Sequence, residues 1–227
     1  AVLIETMRRE GFELCIGRPR VLFQTDPETG AKLEPLEEVL IDVDQDYAGV
    51  VVKKISERKG ELVNMAPSGG GKQRLTFYAP TRGLIGYHGE FMTDTRGTGI
   101  MNRLFHGYIP YKGDLGGRRT GVLVAMDEGE AVAYALWNLE ERGVIMVEPG
   151  MKVYEGMIVG EHNRDNDLPV NVLKGKKLTN VRASGTDEQV KLIPPRVLTL
   201  EQAITFIADD ELVEVTPKSV RLRKRIL

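Results

Sequence analysis

Hydrophobic and polar positions alternate in short runs divided by glycine- and proline-bearing turns, and only a few stretches carry helical spacing. At the start, Val2, Leu3, Thr6 and Met7 share a helical stripe, Arg8, Arg9 and Glu10 are polar, and Gly11 supplies a left-handed stop, so a helix is predicted to end there. Residues 12–16 and 20–23 read as extended, interrupted by Gly17 and Pro19. The run TDPETGAKLEP is rich in turn formers and poor in bulk, which makes residues 25–35 a linker and places a boundary within it.

Beyond the linker the pattern predicts a strand at 39–43, a helix near 50–58 closed by Gly60, strands near 62–65 and 73–78 joined by the turn PSGGGK, a helix over 82–93, and a strand over 100–108. Strand, helix, strand, strand, helix, strand is the order of a ferredoxin-like βαββαβ unit, here over residues 36–112. After KGDLGGRR the character changes. TGVLVAM reads as a strand, 131–142 as a helix capped by Gly143, and VIMV, KVYEG, MIVGEH, PVNV and VKLI as short strands. Thr199 and Gln202 have capping-box spacing ahead of a helix bearing Leu200, Ala203, Ile204 and Ile207. LVEV, a TPKS turn and VRLRK close the chain as a hairpin, with Arg221, Arg223 and Arg225 on one face and Val220, Leu222 and Ile226 on the other. The fold class is α+β, with a ferredoxin-like domain followed by a β-rich domain over 113–227 that carries two helices.

Composition narrows the function classes. Of the 227 residues 41% are hydrophobic and 28% charged, and no apolar run approaches the roughly 20 residues that a membrane-spanning helix needs. The chain starts AVLIETMRREG without an initiator Met or a leader pattern, so a piece of a longer protein is expected. One cysteine, Cys15, cannot pair within the chain, which fits a reducing cytoplasm and a strand thiol.

Net charge is −2, so the whole chain makes no case for nucleic acid; the distribution does. Residues 201–214 carry only acids among their charges, whereas Lys218, Arg221, Arg223, Lys224 and Arg225 make a basic terminus. Residues 173–189, LKGKKLTNVRASGTDEQ, have no apolar face and intersperse cations with glycine and small polar residues. The ammonium and guanidinium groups of Lys174, Lys176, Lys177 and Arg182 suit phosphate oxygens, while Asn180, Ser184 and Thr186 suit sugar or base edges. Taken alone the run also fits an ordinary solvated loop.

Catalytic patterns fail on spacing. In APSGGGKQR an Ala stands where a P-loop needs its first Gly and Gln73 where it needs a hydroxyl, and no helix follows. GLIGYHG lacks the strand that precedes a dinucleotide fingerprint, and packing explains its glycines better. His88, His106 and His162 are far apart, so no metal set is expected. Asp42, Asp44 and Asp46 alternate along a strand without an apolar pocket, and Tyr134 with Trp137 reads as core or interface packing.

MRREGFEL, RGLIGYHGEFMTDTRGTG, VYEGMIVGEHNRDNDLPVN, GKKLTNVRASGTDE and the closing DDELVEVTPKSVRLRKR together resemble the C-terminal half of the translational GTPases called BipA or TypA, with residues 36–111 in a looser form shared with elongation factor G. The resemblance implies that residues 1–24 end a truncated ferredoxin-like third domain, that 36–112 are the fifth domain, and that 113–227 are the family-specific ribosome-binding domain. It implies a cytoplasmic monomer that docks between the ribosomal subunits near the acceptor end of an A-site tRNA and acts in large-subunit assembly and translation under stress. Lys174, Lys176, Lys177, Asn180, Arg182, Ser184, Thr186, Lys218, Arg221, Arg223, Lys224 and Arg225 would contact the RNA. GTP and magnesium would belong to a GTPase domain outside this chain, leaving this part without catalytic residues, metal or cofactor. The alternatives are an enzyme whose site sequence does not reveal, and a protein-docking module using the acidic stretch 201–214.

Overall fold

A computed structural model describes residues 1–115, 118–175 and 191–226. In chain order the first elements are α1 (Val2–Arg9), β1 (Leu14–Ile16), β2 (Gln24–Thr25), β3 (Lys32–Asp44), α2 (Gln45–Glu57), β4 (Glu61–Gly69), β5 (Lys72–Pro80), α3 (Thr81–Leu84), α4 (Tyr87–Asp94) and β6 (Ile100–Pro110). They are followed by β7 (Val122–Ala125), β8 (Gly129–Glu130), α5 (Ala133–Leu139), β9 (Gly143–Ile145), β10 (Lys152–Val153), β11 (Ile158–His162), β12 (Leu168–Val170), α6 (Leu200–Phe206), β13 (Glu211–Val215) and β14 (Val220–Lys224). The chain packs as two compact units, residues 19–116 and residues 1–18 with 117–227.

The first unit is the ferredoxin-like one. Its strand order is β6-β3-β5-β4 with every neighbour antiparallel, and β2 adds two pairs at the start of β3. Period-two alternation turns Val39, Ile41 and Val43 of β3 and Leu75, Phe77 and Ala79 of β5 toward one face. Ala48, Val51 and Ile55 of α2 lie a helical turn apart and close over it, joined by Leu84, Tyr87 and Phe91. Burial drives the Tyr87 phenol well above its usual range. The chain leaves α2 through Lys59 at φ +61° and Gly60, where a Cβ would lie 2.3 Å from the Ile55 side chain. Glycines 69, 70 and 71 all have positive φ and make the β4–β5 turn, as PSGGGK predicts.

Two expectations change here. The helix expected over 82–93 is two helices, because Gly86 adopts φ +75° between them; Gly83 is the packing glycine, where a Cβ would stand 2.5 Å from the Arg58 carbonyl oxygen. The strand expected over 39–43 is β3, of 13 residues, extending back into the predicted linker. Its first half is fixed by Glu34, which is fully buried and accepts hydrogen bonds from the Arg82 guanidinium and, at 2.7 Å, from the Lys112 backbone N–H.

The second unit has a four-stranded sheet, β12-β7-β11-β9, with β12 parallel to β7, a two-stranded pair β10-β8, and a three-stranded sheet β1-β13-β14. One cluster centres on Leu123, Leu136, Val159 and Val172, and another on Val122, Ile158, Ala203, Ile207, Val213 and Leu222. The capping box is present: the Gln202 N–H donates to Thr199 Oγ1 at 3.3 Å and the Thr199 N–H to Gln202 Oε1 at 3.0 Å. Among the described residues 191–193 no strand forms, since Pro194 and Pro195 follow and cannot donate to a ladder. Trp137, expected in a core or interface, is 47% exposed beside Tyr134.

Residues 1–18, which the sequence reading set apart with 19–24 as the end of another domain, pack in this unit. Leu14–Ile16 pair with Val213–Val215, Ile4, Leu14 and Ile16 rest on the second cluster, and Arg8 Nε donates to the Thr216 carbonyl at 2.7 Å. The physical reason is the edge of β13, whose unpaired backbone groups and buried valines need a cover. Cys15 lies on that added strand, exposed.

Candidate nucleic-acid interface

The hairpin β13–β14 sets its charges by register. Glu214 stands opposite Arg221, Leu212 opposite Arg223 and Glu211 opposite Lys224. Alternation therefore puts Lys224 on the core side with the buried Leu222, and its side chain is 13% exposed. Its ammonium lies 2.6 Å from Asp167, 2.7 Å from Asp210 and 3.3 Å from Glu211. Burial works against that charge, but hydrogen bonds to Asp167 and Asp210 outweigh it and hold Lys224 above the ordinary lysine range. Glu211, fully buried, also accepts from Arg118 at 2.6 and 2.8 Å and from the Ala208 N–H at 2.8 Å. Buried carboxylate, guanidinium and ammonium thus satisfy one another, and removing Glu211 leaves the buried Arg118 without its carboxylate partner.

The outer face is partnered too. Arg223 Nε lies 3.0 Å from Glu214 Oε1, and Arg221 Nε lies 3.8 Å from Oε2. Tyr154 donates to the same carboxylate at 2.6 Å, and the Arg221 guanidinium stands 5.7 Å from the Tyr154 ring centre. Burial first, and the bond to Glu214 second, raise the Tyr154 phenol out of the titrating range. Lys218, in the turn organised by Thr216 and Ser219, and Arg225 are exposed and make no ion pair among the described residues.

Lys174 is exposed at the root of the basic loop. The chain is anchored just before it: the Leu173 N–H donates to Asn171 Oδ1 at 2.9 Å, Asn171 donates to Asp127 at 3.1 Å, and Leu173 packs on the first cluster of this unit. Lys176, Lys177, Asn180, Arg182, Ser184 and Thr186 lie outside the described residues. The acidic stretch 201–214 is largely engaged within the unit, with Asp210 and Glu211 on Lys224 and Glu214 on Arg221 and Arg223.

Sequence reasoning passed over one feature. Glu141, Arg142, His162, Asn163 and Arg164 line a polar cleft of about 360 Å³. Its arginines are 22 positions apart in sequence and converge because β9 and β11 pair with His162 opposite Gly143. The available signal was that RGVI and EHNR put an arginine beside each of two pairing strands. Among the described residues no group of His, Cys, Asp and Glu could hold a metal, and no helix is long and apolar enough to cross a membrane.

The chain thus carries an antiparallel βαββαβ unit and, after it in sequence, a β-rich unit with a basic hairpin. Residues 31–119 match the family described as elongation factor G C-terminus, and residues 120–227 match the TypA/BipA C-terminal domain. The chain belongs to the TypA/BipA family and corresponds to its C-terminal part. It is 54% identical over its whole length to the protein of Escherichia coli K12 called large ribosomal subunit assembly factor BipA, and 50% identical to the protein of that name from Bacillus subtilis 168. In both comparisons the chain spans 37% of the relative's length.

Proposed function

We propose that this chain is the ribosome-docking part of a translational GTPase that acts in assembly of the large ribosomal subunit and in translation under stress. The observation that carries the reading is identity of 50% or more, over the entire chain, to relatives named as large ribosomal subunit assembly factors. The catalytic domain, with GTP and magnesium, would lie in the part of those relatives that this chain does not span, and the protein would work in the cytoplasm as a monomer.

Contact with rRNA and with an A-site tRNA would run through the loop 173–189, led by Lys174, Lys176, Lys177 and Arg182 and assisted by Asn180, Ser184 and Thr186. Lys218 and Arg225 would add phosphate contacts at the hairpin, with Arg221 and Arg223 secondary because Glu214 shares their charge. Such recognition reads backbone shape and single-stranded ends. Cosedimentation with large ribosomal subunits over a salt titration tests it. Replacing Lys174, Lys176, Lys177 and Arg182 together by Ala should weaken binding at least about tenfold and flatten the salt slope by about 3, at roughly 0.7 to 0.9 per phosphate lost. Thermal stability should stay unchanged. Binding that persists in the variant, or a large fall in Tm, would contradict the reading.

A further inference from the structure

The loop and the hairpin leave unused the cleft at the far ends of β9 and β11. Its construction is unusually constrained for a surface feature. Gly143 is forced by contact, since a Cβ there would lie 1.9 Å from the Glu161 carbonyl oxygen. Gly121 is forced likewise, at 2.1 Å from the Asn166 carbonyl oxygen. The Asn163 N–H donates to the Arg142 carbonyl at 2.9 Å, and Asn163 Nδ2 donates to the Glu141 carbonyl at 3.2 Å. The Gly121 N–H donates to the Arg164 carbonyl at 2.7 Å. Both arginines thus stand on backbone that is pinned on each side. His162, only 4% exposed, lies 2.5 Å through Nδ1 from the Asn166 carbonyl, so Nδ1 carries the hydrogen and closes the turn that presents Arg164.

What the scaffold presents is charge without a partner. Arg142 and Arg164 are exposed and make no ion pair among the described residues, in contrast to Arg221, Arg223 and Lys224. Glu141 also lines the cleft, so two guanidinium charges face one carboxylate. Asn163 supplies a further amide. Planar forks on a rigid base match tetrahedral oxyanions, and a cavity of about 360 Å³ admits a phosphate with its flanking sugars.

We propose that the cleft between Arg142 and Arg164 is a phosphate-binding site, and that its occupant is the RNA backbone, a second point of attachment away from the basic loop. The RNA form of this proposal rests on the ribosome-docking reading, while the oxyanion site itself does not. Two measurements on the intact chain separate them, each with the Arg142→Ala/Arg164→Ala pair and with the Arg142→Lys/Arg164→Lys pair, which keeps charge but loses the fork. The first is a titration with inorganic phosphate followed by amide NMR, where shifts at Asn163, Arg164 and Gly143 should appear in the parent, weaken in the Lys pair and vanish in the Ala pair. The second is cosedimentation with large ribosomal subunits, where the Ala pair should bind several-fold more weakly with a salt slope smaller by about 0.7 to 0.9, the share of one phosphate.

Unchanged subunit binding and slope in the Ala pair would overturn the RNA assignment even with phosphate shifts intact, since the site would then serve a free anion. No phosphate shift and no change in subunit binding would remove the site altogether. If the parent chain itself does not bind subunits at low salt, the docking reading fails and takes the RNA assignment with it, whereas the phosphate titration still decides the oxyanion site.

Discussion

Arg221, Arg223 and Lys224 on β14 and the pair Arg142 and Arg164 beside the cleft are cations of one unit in opposite states. The first three meet Glu214, Asp210, Glu211 and Asp167, most of them across the hairpin. The guanidinium groups of the second two make no ion pair among the described residues, although their backbone is hydrogen-bonded. In sequence VRLRKR is the more conspicuous run, yet Arg221, Arg223 and Lys224 in it each lie against a carboxylate, Arg221 and Lys224 through direct cross-strand register. A cation already shared with a carboxylate gains little from a phosphate, because it must first give up that partner. Availability of charge, and not its density along the chain, therefore ranks the candidate contacts.

The comparison can be broken most severely at Glu211. Glu211→Gln strips the buried Arg118 and Lys224 of their shared anion and should cost about 3 to 5 kcal/mol of stability in urea unfolding, without strengthening RNA binding. A smaller and opposite effect on binding is expected at Glu214. Glu214→Gln frees Arg221 and Arg223, so affinity for large subunits at low salt should rise several-fold with a steeper salt slope, while stability falls by about 1 kcal/mol or less. No gain in affinity would mean that these arginines face away from the RNA.

A third test uses pH. Asp167 is opposed by its partial burial, but hydrogen bonds from Lys224 and the Val122 N–H bring it net below the usual aspartate range. Its contribution is therefore present above the unfolded value near pH 3.9 and disappears as pH falls through the lower folded value. Lys224 is shifted upward, so its share is present below about pH 10.4 and is lost only as pH rises past that. Stability should be level between these limits, and Asp167→Asn should flatten the acid side. The smallest effects belong to Lys218→Ala and Arg225→Ala, each expected to weaken subunit binding two- to threefold with Tm unchanged.

The ferredoxin-like unit was legible because each element carries its own signal: alternation in β3 and β5, helical spacing in α2, and glycines where the φ angles demand them. What escaped was tertiary. Residues 32–38 do not read as strand because Pro35 and three glutamates interrupt the alternation, and it takes Arg82 and the Lys112 N–H, 48 and 78 positions away from Glu34, to make a buried carboxylate tolerable there. The break at Gly86 was hidden because a glycine serves packing or a left-handed turn equally well. At the site, the positions of Lys218 and Arg225 followed from turn and strand pattern, but the pairing of Lys224 depends on Asp167, in a different segment. The cleft was invisible for the same reason, since Arg142 and Arg164 become neighbours only through the β9–β11 register.

The most direct test of the central claim is site-specific photocrosslinking to large ribosomal subunits, with a photoreactive residue placed at Lys174 in one preparation and at Arg223 in another. The account predicts strong crosslinks to rRNA from position 174 and few from position 223, where Glu214 holds the side chain. Strong crosslinks from 223 with none from 174 would contradict it, and would return the contact to the basic hairpin.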